Sequence, residues 1–312
     1  MGYYTFSIPK KSGGVRTITA PDEILKKAQR ELLKDIQNKF WISKLAHGFT
    51  KKRNILTNAK AHRGKRWILN LDIRDFFPSI TWSLIKRVKQ TDSEAASFES
   101  VPSLVFLYNG ILPQGAPTSP FLSNYCMREF DTQILPLLRK LVSDDIEYTR
   151  YADDLTFSSN SRAIEKVLPI VESKLKSIGL ELSTDKTRLA GRGQRQEITG
   201  LNINSGRPTI PKKYRRRVRA LVHRASNGWI ITHKQKERLL GMISHIALCH
   251  PEEAGRYRET LLAVKPIPDT ARRFCGVKRI RLDTKAKVRT VAAFVKTNTS
   301  NPIRKLRRTT EL

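Results

Sequence analysis

Residues 149 to 159 read TRYADDLTFSS, with two adjacent carboxylates, Asp153 and Asp154, set between β-branched and aromatic residues. Those flanks predict two strand runs and place the acids at the tip of a hairpin. Within a strand, neighbouring side chains point to opposite faces, and adjacent carboxylates repel. At a tip the alternation fails, so both acids can converge on one cation. Turn chemistry alone explains many Asp-Asp pairs, so the reading depends on what accompanies this one.

A third acid, Asp72, closes WILNLDI (67–73), whose apolar run implies a strand buried on both faces. If that strand pairs beside the hairpin, Asp72 and Asp153 meet at one edge of one sheet. An all-oxygen site of this kind suits Mg2+. Two such ions about 3.5 to 4 Å apart serve phosphoryl transfer, one activating a hydroxyl and the other steadying the leaving oxygen.

The rest of the chain is strongly basic. It has 312 residues, 59 Lys and Arg against 28 Asp and Glu, a net charge of +31 and 39% hydrophobic residues. A real core is affordable, and the charge favours a polyanionic partner, nucleic acid ahead of a membrane surface. From Lys212 onward there are 26 basic and 7 acidic residues, so the last third is the more electropositive. No apolar run of about 18 residues and no signal-like start are present, which predicts a cytoplasmic protein with no membrane partner. Cys126, Cys249 and Cys275 are too scattered for a disulfide framework or a C-x-x-C zinc site. His245, Cys249 and His250 share helical spacing, but one thiolate without a partner cluster reads as ordinary packing.

Residues 3–20 read as a hairpin with KKSGG at its turn, and 22–41 as an amphipathic helix capped by Asp22. The Pro/Gly-dense loop LPQGAPTSP (112–120) leads into one helix, 121–141, with an internal proline. An amphipathic helix over 161–180 stops at Gly179, and short strands follow around 187–191 and 196–203. From Pro211 the pattern turns to basic helices, at 212–225, 234–248 and 252–262, and the end, 301–312, has no apolar face.

LDIRDFFPSI, LPQGAPTSP and YADD fall in that order. Together they resemble reverse transcriptases over nearly the whole chain. The resemblance implies an α+β right-hand polymerase fold with fingers, palm and helical thumb, the palm's antiparallel sheet carrying the YADD hairpin. It implies fingers over 1–65, palm over 66–80 and 113–205, a fingers/palm connection at 81–112, a basic RNA-binding thumb at 206–300 and a basic tail at 301–312. It further implies that Asp72, Asp153 and Asp154, with the backbone carbonyl of Ile73, hold two Mg2+ ions. Phe77 matches the steric gate that selects deoxynucleotides. Gln114 and Gly115 match the loop lying against the incoming nucleotide and template. Lys10, Lys11 and Arg16 match fingers cations that grip the triphosphate, and Lys186 the general acid near pyrophosphate.

N-A-x-x-H at Asn58, Ala59 and His62, and Ile198-Thr199-Gly200, are similar to the N-A-x-x-H and V-T-G signatures of retron reverse transcriptases. With Lys60, Arg63, Lys65 and Arg66 around it, His62 is expected to face RNA. The resemblance implies that Asn58, His62, Thr199 and Gly200 help recognise a structured noncoding RNA. Copying would start from a guanosine 2′-hydroxyl, give the branched hybrid msDNA, and serve antiphage defence together with an effector protein. A longer N-terminal helical region found in many retron enzymes is expected to be missing. Arg215, Arg216, Arg217, Arg219 and Arg224 can line one face of a thumb helix while Val218, Leu221 and Val222 pack the other. The alternative enzyme, a group II intron-like reverse transcriptase, shares YADD and the Q-G-x-P-x-S-P loop, but its maturase and endonuclease segments are expected to be missing after the thumb. Enzymes of the diversity-generating kind are expected to end that loop in S-Q, where this chain has Ser119 and Pro120. A catalytically silent RNA-binding scaffold is opposed by the intact acid triplet.

Overall fold

The computed structural model describes residues 2–10, 13–90 and 105–269. Lys11, Cys275, the tail and part of the expected thumb lie outside the described residues.

The chain opens with strands β1 (Tyr3–Pro9) and β2 (Val15–Pro21), paired antiparallel with Ile8 opposite Arg16. Helix α1 (Glu23–Lys39) follows, its Asp22 cap accepting from the Leu25 N–H at 2.8 Å as the sequence predicts. A loop leads to the short helix α2 (Ile55–Ala61), capped by Asn54, and then to β3 (Trp67–Asp72). Helices α3 (Phe76–Ser79) and α4 (Trp82–Gln90) come next.

The single helix expected over 121–141 is two helices, α5 (Ser119–Cys126) and α6 (Arg128–Leu141), joined at Met127. Pro136 is tolerated inside α6, and the break falls where both helices bury residues in the core. Strands β4 (Glu147–Tyr151) and β5 (Asp154–Ser159) form the YADD hairpin. The expected helix over 161–180 begins as a 3₁₀ turn, Arg162–Lys166, before α7 (Val167–Ser177), and Gly179 ends it at φ 83°. Strand β6 (Arg188–Gly191) and a small hairpin, β7 (Glu197–Ile198) with β8 (Leu201–Asn202), follow.

The main sheet has the order β4-β5-β3-β6, every pair antiparallel. Alternation along β3 sends Leu69 and Leu71 into the large core shared with α4 to α7, while Ile68 enters a smaller cluster with Ala59, Ile198, Leu201, Ile203 and Ile210. Both faces are therefore covered, as the apolar reading of 67–73 requires. Helices α8 (Lys212–Ser226), α9 (His233–Ala247) and α10 (Pro251–Leu262) pack around Val218, Val222, Ile243, Ile246 and Leu261. Tyr214 touches this bundle and the smaller palm cluster alike, and Cys249 packs on the latter.

The N-A-x-x-H motif sits inside the protein and not on the surface expected for His62. Asn58 and His62 are wholly buried, so neither side chain faces RNA. Thr149 donates its hydroxyl to Asn58 Oδ1 at 2.6 Å, and must then accept from His62 Nε2, 2.7 Å away. That fixes the tautomer, leaving Nδ1 to accept from Ser158 Oγ at 2.7 Å. The spacing of four puts both motif side chains on the α2 face that meets β4 and β5, and the basic neighbours point elsewhere. Ile-Thr-Gly is also explained by backbone geometry: Thr199 (φ 45°) and Gly200 (φ 83°) are the two central residues of the β7/β8 hairpin, the left-handed pair of a primed turn.

Burial pushes the His62 imidazole down to about 3. The folded protein therefore resists a proton that the unfolded chain accepts near 6.5, so this group's contribution is complete above pH 6.5 and declines as pH falls towards 3. Below pH 6.5 the loss is about 1.4 kcal/mol per pH unit. Urea unfolding of the protein and of His62→Gln at pH 6.5 and 5.5 should show the smaller slope in the variant; equal slopes would remove His62 from the account.

Candidate active site

The sheet's register assembles the acids. Asp72, the last residue of β3, stands directly opposite Asp154, the first of β5. Directly opposed residues share a face, with Cβ atoms about 4.5 to 5.5 Å apart. Tyr151 pairs with Asp154, so Ala152 and Asp153 alone make the turn. Ala152 adopts φ 58°, a left-handed backbone rare for a residue with a side chain. The Ile73 N–H donates to the Asp153 carbonyl at 3.0 Å, and the Ser183 N–H to the Asp72 carbonyl at 2.8 Å. Turn, strand end and the segment bearing Lys186 are thus tied by backbone.

A buried charge pair sits behind this tip. The Arg150 guanidinium donates to Asp131 Oδ2 at 2.7 Å, to Asn124 Oδ1 at 2.9 Å and to the Ala152 carbonyl at 3.1 Å. Arg150 and Asp131 are both wholly buried, and Tyr148 Oη donates to the same carboxylate at 2.8 Å. Asn124 Nδ2 reaches the Gly48 carbonyl at 2.8 Å, while the Arg150 backbone exchanges bonds with Leu45 and His47. Gly48 lies so close that a Cβ there would stand 2.6 Å from the Ala152 nitrogen. The left-handed Ala152 backbone is therefore held from two sides, by the guanidinium and by the 45–48 segment.

The acids feel one another. Burial first, then the Asp153 and Asp72 charges, push the Asp154 carboxyl up to about 7, although its side chain reaches the surface. Burial and Asp72 raise Asp153, with Lys186 and Arg16 pulling the other way. Lys186 Nζ donates to Asp72 Oδ1 at 2.6 Å, and that bond holds the ammonium protonated. Among the described residues no three acids already close into a ligand cage, and the lysine holds Asp72. The donor set is nonetheless all carboxylate and carbonyl oxygen, short of positive charge, which is the chemistry a hard divalent cation fits.

The other expected site residues surround this edge unevenly. Gln114 accepts the Thr19 N–H at 2.9 Å through its carbonyl. Gly115 adopts φ 143° and packs so that a Cβ would meet the Thr19 carbonyl at 2.8 Å, docking the Q-G loop on β2. Arg16, exposed on the same hairpin, is near enough for its charge to act on Asp153, and Lys10 is exposed at the end of β1. Phe77 is half-buried, its ring 5.6 Å from Phe76 and 6.1 Å from Phe49. On α8, Arg216 and Arg219 are exposed and, with Lys212, Arg215, Glu253 and Tyr257, line a cavity of about 190 Å³. Arg215 is committed to Glu253 at 2.6 Å, so its charge is partly neutralised within the protein.

A profile of the reverse transcriptase (RNA-dependent DNA polymerase) family matches residues 8–241. The retron Ec86 reverse transcriptase of Escherichia coli is 34% identical over 224 residues, 71% of this chain and 69% of that protein. The chain belongs to the retron reverse transcriptase family. The retron Mx65 enzyme of Myxococcus xanthus is also 34% identical, over 81% of this chain and 63% of its own length. The retron Mx162 enzyme of the same organism is 31% identical over 86% and 62%. This retron-family chain thus spans a little under two thirds of both Myxococcus relatives. Solved structures to which the chain is similar are more distant. Apo telomerase from Candida tropicalis gives a TM-score of 0.48 at 12% identity, covering 84% of this chain and 56% of that one. A foamy viral protease-reverse transcriptase bound to double-stranded DNA gives 0.47 at 15%, covering 86% and 45%.

Sequence reasoning missed Arg150, Asp131, Asn124 and Gly48. Arg150 precedes YADD directly, and an arginine inside an otherwise strand-like run was the available signal. Its partner lies 19 residues away on α6, a pairing that periodicity does not reveal. Arg150→Ala should cost about 3 to 5 kcal/mol, since it leaves the Asp131 carboxylate buried and unpaired. Arg150→Met combined with Asp131→Leu should cost less than that single change, as read by urea denaturation.

Proposed function

We propose that this retron-family chain is an RNA-directed DNA polymerase that joins deoxynucleotides at the Asp72, Asp153 and Asp154 edge of its palm sheet. The observation that carries this reading is the β3–β5 register, which opposes Asp72 to Asp154 beside the Asp153 turn. Two Mg2+ ions, held by these carboxylates and the Ile73 carbonyl, would activate the attacking hydroxyl and offset the leaving oxygen's charge. Arg16 and Lys10 on the β1/β2 hairpin, with Lys11, bind the triphosphate. The Gln114–Gly115 backbone, docked on that hairpin, orients nucleotide and template. Phe77, backed by Phe49 and Phe76, excludes a ribose 2′-hydroxyl. Lys186, kept protonated, delivers a proton towards pyrophosphate.

In this reading residues 1–65 are fingers, 66–80 and 113–205 palm, 81–112 the connection, 206–300 thumb and 301–312 a basic tail. Arg216 and Arg219, with Arg215 held by Glu253, meet template phosphates. Thr199 and Gly200 contribute the β7/β8 turn to the same RNA-facing side, while Asn58 and His62 support it from within. The cognate RNA is a structured noncoding RNA, primed from a guanosine 2′-hydroxyl to give msDNA, and the pair serves antiphage defence with an effector. Membership of the retron family and its two signatures support this finer reading.

Asp153→Asn should abolish DNA synthesis on an annealed primer-template while RNA affinity stays within about two-fold. Retained synthesis, or loss of both, would defeat the catalytic assignment. Phe77→Ala should raise incorporation of ribonucleotides relative to deoxynucleotides by at least about ten-fold in single-nucleotide extension. Arg216→Glu with Arg219→Glu should weaken RNA binding and flatten its salt dependence by about two phosphate contacts.

A further inference from the structure

The end of β3 remote from Asp72 carries a second feature that the catalytic reading does not use. A cavity of about 510 Å³ opens there, lined in part by Arg66, Trp67, Arg162, Glu165, Arg192 and Gln194. Trp67 begins the strand that Asp72 ends, and five residues at about 3.3 Å each set the two about 17 Å apart. A nucleic acid held at this groove is therefore not the strand end reacting at the acids.

The half-buried Trp67 ring lies against Gly191, where a Cβ would stand 3.0 Å from Cζ3. The Arg162 guanidinium sits 5.6 Å from the ring centroid. Arg66, Arg162 and Arg192 are all exposed, and Glu165, bonded to Arg162 at 3.0 Å, is the acid among the lining residues. Arg192 is fixed by a 2.9 Å bond to the Gly64 carbonyl, which leaves its remaining N–H groups for a ligand. Arginine planes and an indole together accept a stacked base, and unneutralised guanidiniums on either side accept phosphates. An acidic peptide would satisfy the charges but bring no flat ring to the Trp67–Arg162 pair.

We propose that this groove is a second nucleic-acid site, which holds a single-stranded segment with one unpaired base stacked on the Trp67–Arg162 pair and its flanking phosphates on Arg66 and Arg192. The site is independent of the carboxylate chemistry, so it stands whether or not the edge at Asp72 polymerises DNA. Its purpose would be to anchor unpaired nucleic acid on the far side of the palm.

Photocrosslinking tests it with the full chain, using a 12-mer of 4-thiouridine and a 12-mer of 4-thiothymidine, followed by peptide mapping. A crosslink to the peptide containing Trp67 is expected, and the sugar that gives it identifies RNA or DNA as the occupant. Arg66→Glu with Arg192→Glu should reduce that crosslink about ten-fold while crosslinks to α8 persist. The slope of log affinity against log salt should become shallower by about 1.4, roughly 0.7 for each lost single-strand phosphate contact. Trp67→Leu should remove the crosslink with the charges intact. All three side chains are partly or fully exposed, and extension of an exogenous primer-template provides a folding control that should not change. Crosslinks confined to α8 and the carboxylate edge would overturn the proposal. Protection of the Trp67 fluorescence by polyglutamate but by neither oligonucleotide would equally overturn it, in favour of an acidic protein partner.

Discussion

The acid edge of this molecule depends on the register of β3 against β5. Strand side chains alternate with a period of two, so a slip of one residue would turn Asp72 from the acid edge into the core and bring Leu71 to the surface. The apolar demand of both sheet faces forbids that slip: Leu69 and Leu71 fill the large core while Ile68 fills the small cluster under α2. Hydrophobic burial thereby fixes the placement of a carboxylate that it does not itself touch.

The same economy operates one layer deeper. A left-handed alanine and two adjacent acids are each unfavourable, and a buried ion pair and a close glycine contact hold the turn in that shape. Buried pairs of this kind add little net stability, since desolvation offsets attraction. What Arg150 and Asp131 supply is a definite position for the Ala152 carbonyl. Lys186 meanwhile donates to Asp72, and the other two carboxyls are pushed towards protonation by burial and by the charge of neighbouring carboxylates.

Family signatures and exposed charge are not the same set of residues. Asn58 and His62 form a directional hydrogen-bond chain with Thr149 and Ser158 inside the protein, and Thr199-Gly200 supplies a turn. Both lie against the small cluster that Tyr214 connects to the bundle of α8 to α10. The motif side chains are thus interior or turn-forming, whereas Arg216 and Arg219 of α8 and the arginines of the Trp67 groove lie exposed.

The sequence by itself determined the strand ending at Asp72, the acid-tipped hairpin, the capped first helix and the amphipathic basic helix, because each is written in local periodicity and turn chemistry. It also marked the acids, the Q-G loop and Phe77 through motifs whose spacing is short. Only the tertiary structure decided that Asp72 opposes Asp154, that the long helix breaks at Met127, that Arg150 is spent on Asp131 and that His62 turns inward. Those outcomes depend on partners tens of residues away in the chain, and the free energy that selects them comes from burying both members of a contact together. A linear pattern names the members and leaves their meeting to packing.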